Sequence, residues 1–266
     1  MENDLRLCRS LLFLPASNPR AIEKARELAA DMVVLDLEDA VKPADKERAR
    51  AAAVEAAAQG FPGLCAIRLN SLEPWREPDL TAVKGSGADV VIVPMTPSAE
   101  PVRAAAETTG KPVLAMIETA KGVLAAAQIA EHAAALIAGT NDLAADLGLR
   151  RGGPRAALTT ALQTILLAAR AAGVAAFDGV YNRLEDADGF ADQCEEGRAF
   201  GFDGKSLIHP NQIEPANRIF GPSGEEVDEA RRLLAAATGG AERYQGEMIE
   251  RMHVEQARWV LARARA

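Results

Sequence analysis

The sequence predicts a (β/α)8 TIM barrel with a short two-helix C-terminal extension. Short β-branched or apolar runs alternate with longer alanine-rich segments that carry charges at helical spacing, the pattern of βα units around a parallel sheet. About eight such units follow one another in about 220 of the 266 residues, which favours a closed barrel over an open sheet. The first strand runs into LPASNPR and not into a Gly-x-Gly-x-x-Gly turn, so a dinucleotide-binding sheet is disfavoured.

Strands are expected at 10–14, 32–37, 64–69, 90–93, 113–117, 135–138, 174–177 and 204–208, where Val, Ile and Leu dominate. Helices are expected between them, at 19–30, 44–59, 77–85, 98–109, 120–132, 154–172, 185–200 and 211–220. Gly60, Gly110 and Gly173 supply helix stops. After Phe220 the rhythm changes. A GPSGEE turn leads into a helix at 225–237, TGGAERYQGEM reads as a flexible connector, and a last helix runs from about 248 to 265. Residues 1–221 are therefore assigned to a catalytic barrel. Residues 222–266 form a helical extension expected to pack on the barrel or on a neighbouring subunit.

Composition excludes several classes. A net charge of −8 and 4% aromatic residues supply neither the basic groove nor the stacking rings of a nucleic-acid binder. The same charge argues against general binding to an anionic membrane. The N-terminus is charged from the start and lacks a signal-like apolar region. The longest apolar run, 162–172, contains Arg170 and falls short of the ~20 residues that cross a bilayer. Cys8, Cys65 and Cys194 form no C-x-x-C pair, so they read as small core residues. A soluble cytoplasmic protein is expected.

Barrel chemistry sits at the C-terminal ends of strands. Asp36, Glu38 and Asp39 close the second strand, Arg68 and Asn70 the third, Glu118 the fifth, Asp142 the sixth and Asp178 the seventh, while His209 follows the eighth. Several carboxylates around one cavity need a compensating cation. With only oxygen ligands on offer, Mg²⁺ is the natural ion and Mn²⁺ the alternative. Glu118 and Asp142 are the expected ligand pair, being just past adjacent strands. Asp36 and Glu38 alternate along the strand and so share the barrel interior. Arg68 either meets the ligand or bridges Glu38 or Asp39, and Asp39 either serves the site or caps the next turn. Asp178 reads as a turn residue and His209, before Pro210, as a packing element. Ala199 stands where the first glycine of a phosphate loop is required, so the GKS at 204–206 is not one.

These residues carry a resemblance. RSLLFLPASNPR, VVLDLEDAV, AIRLN, MIETAKGV, AGTNDLAADLG, FDGV and GFDGKSLIHPNQI occur in order, from Arg9 through most of the chain. Together they resemble the citrate lyase β-subunit-like family of the HpcH/HpaI aldolase superfamily. The resemblance implies a (β/α)8 barrel assembled into homotrimers or homohexamers. It implies Mg²⁺ bound by Glu118 and Asp142, substrate held by Arg68 and Arg9, and supporting carboxylates at Asp36, Glu38 and Asp39. There are departures: Met95 replaces a lysine common in relatives. Near the C-terminus, Glu250 replaces an aspartate that reaches a neighbouring subunit's site, and Met252 replaces a proline.

The implied reaction is Mg²⁺-dependent cleavage or formation of a β-hydroxyacyl-CoA thioester, such as citramalyl-, malyl- or citryl-CoA. Arg68 with Arg9 and Asp36 would bind the substrate. Arg68, Glu38, Asp39 and Glu250 would serve catalysis, with Glu250 moving a proton from a neighbouring chain. The phosphates of coenzyme A need cations, and Arg20 with Lys24, one turn apart on the first helix, are the candidates. An acyl-carrier protein is the alternative thioester carrier. Two other readings stay open. One is a class II aldolase on free 2-keto acids, although LDLEDAVKP lacks the histidine such enzymes usually carry near the second strand. The other is a noncatalytic acyl-CoA or acyl-carrier binding subunit.

Overall fold

The computed structural model describes residues 5–238 and 240–264. Eight parallel strands form a closed barrel in chain order: β1 (Ser10–Pro15), β2 (Met32–Asp36), β3 (Leu64–Arg68), β4 (Val90–Val93), β5 (Val113–Ile117), β6 (Ala135–Ala138), β7 (Ala175–Asp178) and β8 (Gly204–Leu207). β8 closes on β1, with Leu11 opposite Ser206. The outer layer is α1 (Pro19–Ala25), α2 (Lys46–Gln59), α3 (Arg76–Lys84), α4 (Ala99–Thr109), α5 (Ala120–Leu124), α6 (Ala126–Ala130), α7 (Thr140–Asp146), α8 (Thr159–Ala172), α9 (Ala187–Phe200) and α10 (Ile213–Phe220).

Strand parity explains why the runs are apolar throughout. Alternate residues point to opposite faces, and both faces are covered. Leu11, Met32, Val34, Ala66, Ile92, Leu114, Met116, Ile137 and Phe177 fill the barrel interior. Their neighbours Leu12, Val33, Leu35, Ile67, Val91, Ala115, Leu136 and Leu207 pack outward against the helices. Alanine lets those helices sit close. Ala49, Ala53, Ala56 and Ala57 are the buried side of α2, and a Cβ on Gly87 would stand 2.5 Å from the Ala57 carbonyl oxygen.

The helices differ from expectation at their ends. α1 stops at Ala25, and the Arg26 side chain donates to the Gly60 carbonyl. The expected helix at 120–132 breaks at Ala125, whose φ of −96° and ψ of 0° leave the α region. The unexpected α7 places Asp142 in its first turn.

Asp178 faces outward, since Phe177 faces in. It is fully buried, accepting from Lys205 Nζ and Arg155 Nη2, each at 2.7 Å. Burial opposes its ionisation, but the two cations outweigh that and hold its carboxyl below the ordinary range. It is a structural ion cluster between strands and helices.

The C-terminal extension comprises α11 (Gly224–Ala236), a hairpin of β9 (Glu242–Tyr244) and β10 (Glu247–Ile249), and α12 (Arg251–Arg263). A flexible connector was expected where the hairpin lies. Its turn uses Gln245 and Gly246, both at positive φ, as tight antiparallel turns require. The expected end of the last helix at Arg265 lies outside the described residues. α12 docks on the N-terminal end of the barrel: Arg263 Nη2 donates to the carbonyls of Asp203 at 2.7 Å and Phe220 at 2.8 Å. The three cysteines are buried. Among the described residues no helix is long and apolar enough to cross a membrane.

Candidate active site

A cavity of about 400 Å³ opens at the C-terminal ends of the strands. Asp36, Asp39, Arg68, Glu118 and Asp142 line it, with Phe13, Met116 and Ile208 as apolar wall. The parity that puts Val34 and Met116 inside also brings Asp36 and Glu118 inside, two positions further on. The expected rim of polar side chains is thus assembled by four strand ends, those of β2, β3, β5 and β6.

Asp36 and Arg68 are register partners on β2 and β3. Arg68 Nε and Nη2 donate to the two Asp36 oxygens at 2.7 Å each, and Nη1 lies 3.0 Å from a Glu38 oxygen. The Asp36 oxygens also accept the backbone N–H of Glu38 at 2.9 Å and of Ala40 at 3.1 Å. Asp36 is therefore saturated. It was expected to bind substrate; it lines the cavity, and within the chain its oxygens hold the guanidinium. Burial opposes the charge on Arg68, yet the bonds to Asp36 and the field of the carboxylates raise its pKa above the ordinary value. Glu38 is buried beside it, and that burial pushes its pKa up to about 7, against the offsetting charge of Arg68.

Arg9 is a correction to expectation. It immediately precedes β1, and the strand then runs six residues at about 3.3 Å each before reaching the rim. At the opposite end of the barrel its guanidinium grips Asp31 at 2.8 and 2.9 Å. It does not line the cavity. Arg20 and Lys24 are exposed on α1, outside the cavity lining. Glu250 is exposed at the start of α12, where its backbone N–H donates to His253 Nδ1 at 2.9 Å. Within one chain it too stands apart from the cavity lining.

Glu118 is 2% exposed and its Oε2 accepts the Met95 N–H at 2.6 Å. Met95 thus contributes its backbone, at a left-handed φ of 48°, while its side chain is exposed. Burial pushes the Glu118 pKa up to about 7, and the neighbouring Asp142 charge adds to the rise. Gly139 leaves the room this side chain needs, since a Cβ there would stand 2.1 Å from Glu118 Cγ.

These observations test whether Mg²⁺ fits. Among the described residues neither Glu118 nor Asp142 forms an ion pair, and Arg68 is committed to Asp36 and Glu38. Two repelling carboxylates on one cavity, one buried, call for a cation. Among the described residues no three His, Cys, Asp or Glu side chains converge as a ligand set. Mg²⁺ binds through one or two carboxylates and keeps its waters, and Glu118 and Asp142 offer two. The donor set fits.

Sequence reasoning missed the residues beneath the rim. Lys46, buried on α2, donates to the carbonyls of Leu37 and Glu38 at 2.7 Å each and also to Asn70. Asn70 is held in turn by the fully buried Asp79, which Arg50 pairs at 2.6 Å. This network fixes the β2 loop that carries Glu38 and Asp39. Its members are scattered along the sequence, so no local pattern marks them. His209 accepts the Asn211 N–H and caps the following turn.

Known proteins share this fold and sequence pattern. The family model for HpcH/HpaI aldolase/citrate lyase matches residues 9–210. A (3S)-malyl-CoA thioesterase of Cereibacter sphaeroides is 44% identical over 97% of this chain and 95% of its own. The citrate lyase subunit beta of Escherichia coli is 34% identical over 99% of this chain and 95% of its own. The crystal structure of protein CitE from Mycobacterium tuberculosis, in complex with magnesium, acetoacetate and coenzyme A, superposes with a TM-score of 0.83 at 34% identity, covering 98% of this chain and 100% of that one. The chain belongs to the HpcH/HpaI aldolase/citrate lyase family.

Proposed function

We propose that this cavity is the active site of a Mg²⁺-dependent carbon–carbon lyase acting on a β-hydroxyacyl-CoA thioester. One observation carries the reading: a charged, immobilised Arg68 and the Glu118–Asp142 pair face the same small cavity. In cleavage, the substrate hydroxyl loses its proton and its oxygen becomes the carbonyl of a 2-oxo acid. The electron pair of the broken carbon–carbon bond passes to the thioester α-carbon, which then takes a proton. Bound Mg²⁺ supplies Lewis-acid charge that eases loss of the hydroxyl proton.

The chain's own residues do the rest. Arg68, locked by Asp36, presents its guanidinium edge to developing negative charge. Asp39 lines the same cavity, and Glu38, whose pKa burial pushes up to about 7, is suited to proton movement beside Arg68. Glu250 would reach the site only from a second copy, in a homotrimer or homohexamer. Arg20 and Lys24, on the helix that follows β1, are offered to the phosphates of coenzyme A or of a carrier-protein arm. Family membership and the CitE complex with magnesium and coenzyme A support this reading. The buried free thiols of Cys65 and Cys194 fit a reducing, cytoplasmic setting.

Thioester hydrolysis is the second reading, favoured by the 44% identity to a malyl-CoA thioesterase. Water would attack the thioester carbonyl beside Arg68, the C–S bond would break, and the free acid and the coenzyme A thiol would leave. The proposal is tested by Glu118→Gln and Asp142→Asn, which should abolish Mg²⁺-dependent turnover of malyl-, citramalyl- and citryl-CoA. Intact turnover in either variant would refute the metal assignment.

A further inference from the structure

The floor of the cavity holds one polar group that the protein leaves unpaired. Ser206 on β8 is 1% exposed, and its buried Oγ has no hydrogen-bond partner among the described residues. It lines the cavity together with Phe13, Met116 and Arg68. Parity points it inward, because its neighbours Lys205 and Leu207 are engaged outside the barrel, with Asp178 and with the helix layer. Beside it on β1 lies Leu11, and the β7–β8 register that pairs Asp178 with Lys205 brings Gly179 alongside on the other flank. Neither offers a polar side chain.

Asp36, Arg68 and Glu118, by contrast, have partners within the protein. Asp36 is saturated, Arg68 spends Nε and Nη2 on Asp36 and Nη1 on Glu38, and Glu118 takes the Met95 N–H. A buried hydroxyl without a partner is costly and rare. When such a group faces a ligand cavity, the ligand is its natural partner.

We infer that Ser206 is a substrate-binding, specificity-determining residue. Its Oγ–H donates a hydrogen bond to a carboxylate oxygen of the oxo-acid part of the substrate, from the wall three strands away from Arg68. This rests on the lyase reading above. An anionic acceptor makes the bond charge-assisted. An uncharged donor at this place meets the carboxylate without competing with Arg68 for Asp36 and Glu38. The floor therefore selects for a fragment that brings an oxygen to it, against one that brings a methyl group.

The test compares the full-length wild type with Ser206→Ala in saturating Mg²⁺. Unfolding temperature is measured without substrate. Dissociation constants for oxaloacetate, pyruvate and glyoxylate are measured by titration calorimetry. KM for the best oxo acid and for acetyl-CoA is measured in the condensing direction. Ser206→Ala should unfold at the same or a higher temperature, because the hydroxyl makes no bond in the free protein. Oxo-acid dissociation constant and KM should rise about tenfold or more, while KM for acetyl-CoA stays within about twofold. Wild-type oxo-acid affinity in the variant would overturn the assignment. So would a loss of stability with both KM values rising together, which would mark a structural hydroxyl. If the wild type itself binds none of the three acids and forms no thioester product, the lyase reading fails and this assignment falls with it.

Discussion

Asp36 and Arg68 sit opposite each other on neighbouring strands, and their side chains meet in two parallel hydrogen bonds of 2.7 Å. The fork is buried on both sides, and the remaining acceptor capacity of Asp36 is filled by the N–H groups of the loop that follows it. One carboxylate thus fixes the arginine and the loop bearing Glu38 and Asp39. The arrangement spends folding stability on orientation, since two charges have been taken out of water to set one guanidinium.

Asp36→Asn should expose that cost. It keeps the shape but leaves Arg68 buried without its counter-charge. Stability should fall by ~3 kcal/mol, in the range for breaking a buried pair, and kcat/KM should fall by about a hundredfold or more. Denaturant unfolding and steady-state kinetics on the same preparation check both.

The second expectation concerns pH and metal. Burial raises Glu118 from an ordinary 4.5 to about 7 in the metal-free chain. The neutral acid is therefore the form favoured by folding. Its contribution is complete below about 4.5 and is lost as pH rises through about 7. Mg²⁺ competes with that proton, so its stabilising effect should grow between about pH 6 and pH 8. Thermal unfolding with Mg²⁺ and with chelator, at several pH values, measures the difference. An increment that does not change with pH would contradict the assignment of Glu118.

Gly139 supplies a steric test. Its φ of −87° is open to any residue, so backbone strain is not the issue. Gly139→Ala would place a methyl group against the Glu118 side chain and displace its carboxylate. Mg²⁺ affinity should drop by about 10- to 100-fold, as when a ligand's support is removed. Calorimetric Mg²⁺ titration reads it directly, and circular dichroism should show the barrel retained.

Much of this was legible in the sequence, for physical reasons. Strands covered on both faces read as continuous apolar runs, so the barrel could be counted. The rule that chemistry lies at strand C-termini located Glu118, Asp142 and Arg68. That rule does not say which face a side chain takes, and Asp178 at the end of β7 turns outward into a structural ion cluster. Arg9 was assigned to the site through the resemblance alone, although it precedes a strand and so lies at the far end from the cavity. Ser206, Lys46 and Asp79 were invisible because their roles depend on contacts or vacancies between distant segments. The β9–β10 hairpin was hidden in a polar stretch whose short strands carry no apolar alternation beyond Met248 and Ile249.

Glu250 distinguishes a single-chain site from a shared one. Glu250→Gln should lower kcat while leaving Mg²⁺ affinity intact, because the residue lies outside the cavity lining of its own chain. If it serves a neighbour, mixing Glu250→Gln chains with inactive Glu118→Gln chains should restore part of the activity. Oligomers reassembled from both variants, assayed against each alone, provide the measurement.

The central claim is cleavage of a carbon–carbon bond at the Glu118–Asp142 cation site. It is tested most directly by the products formed from malyl-CoA, with Mg²⁺ present and after chelation. Acetyl-CoA and glyoxylate in equal amounts, formed only with Mg²⁺ and without release of free thiol, is the result this account expects. Free coenzyme A thiol with malate, in place of glyoxylate, would contradict it and make the protein a thioesterase.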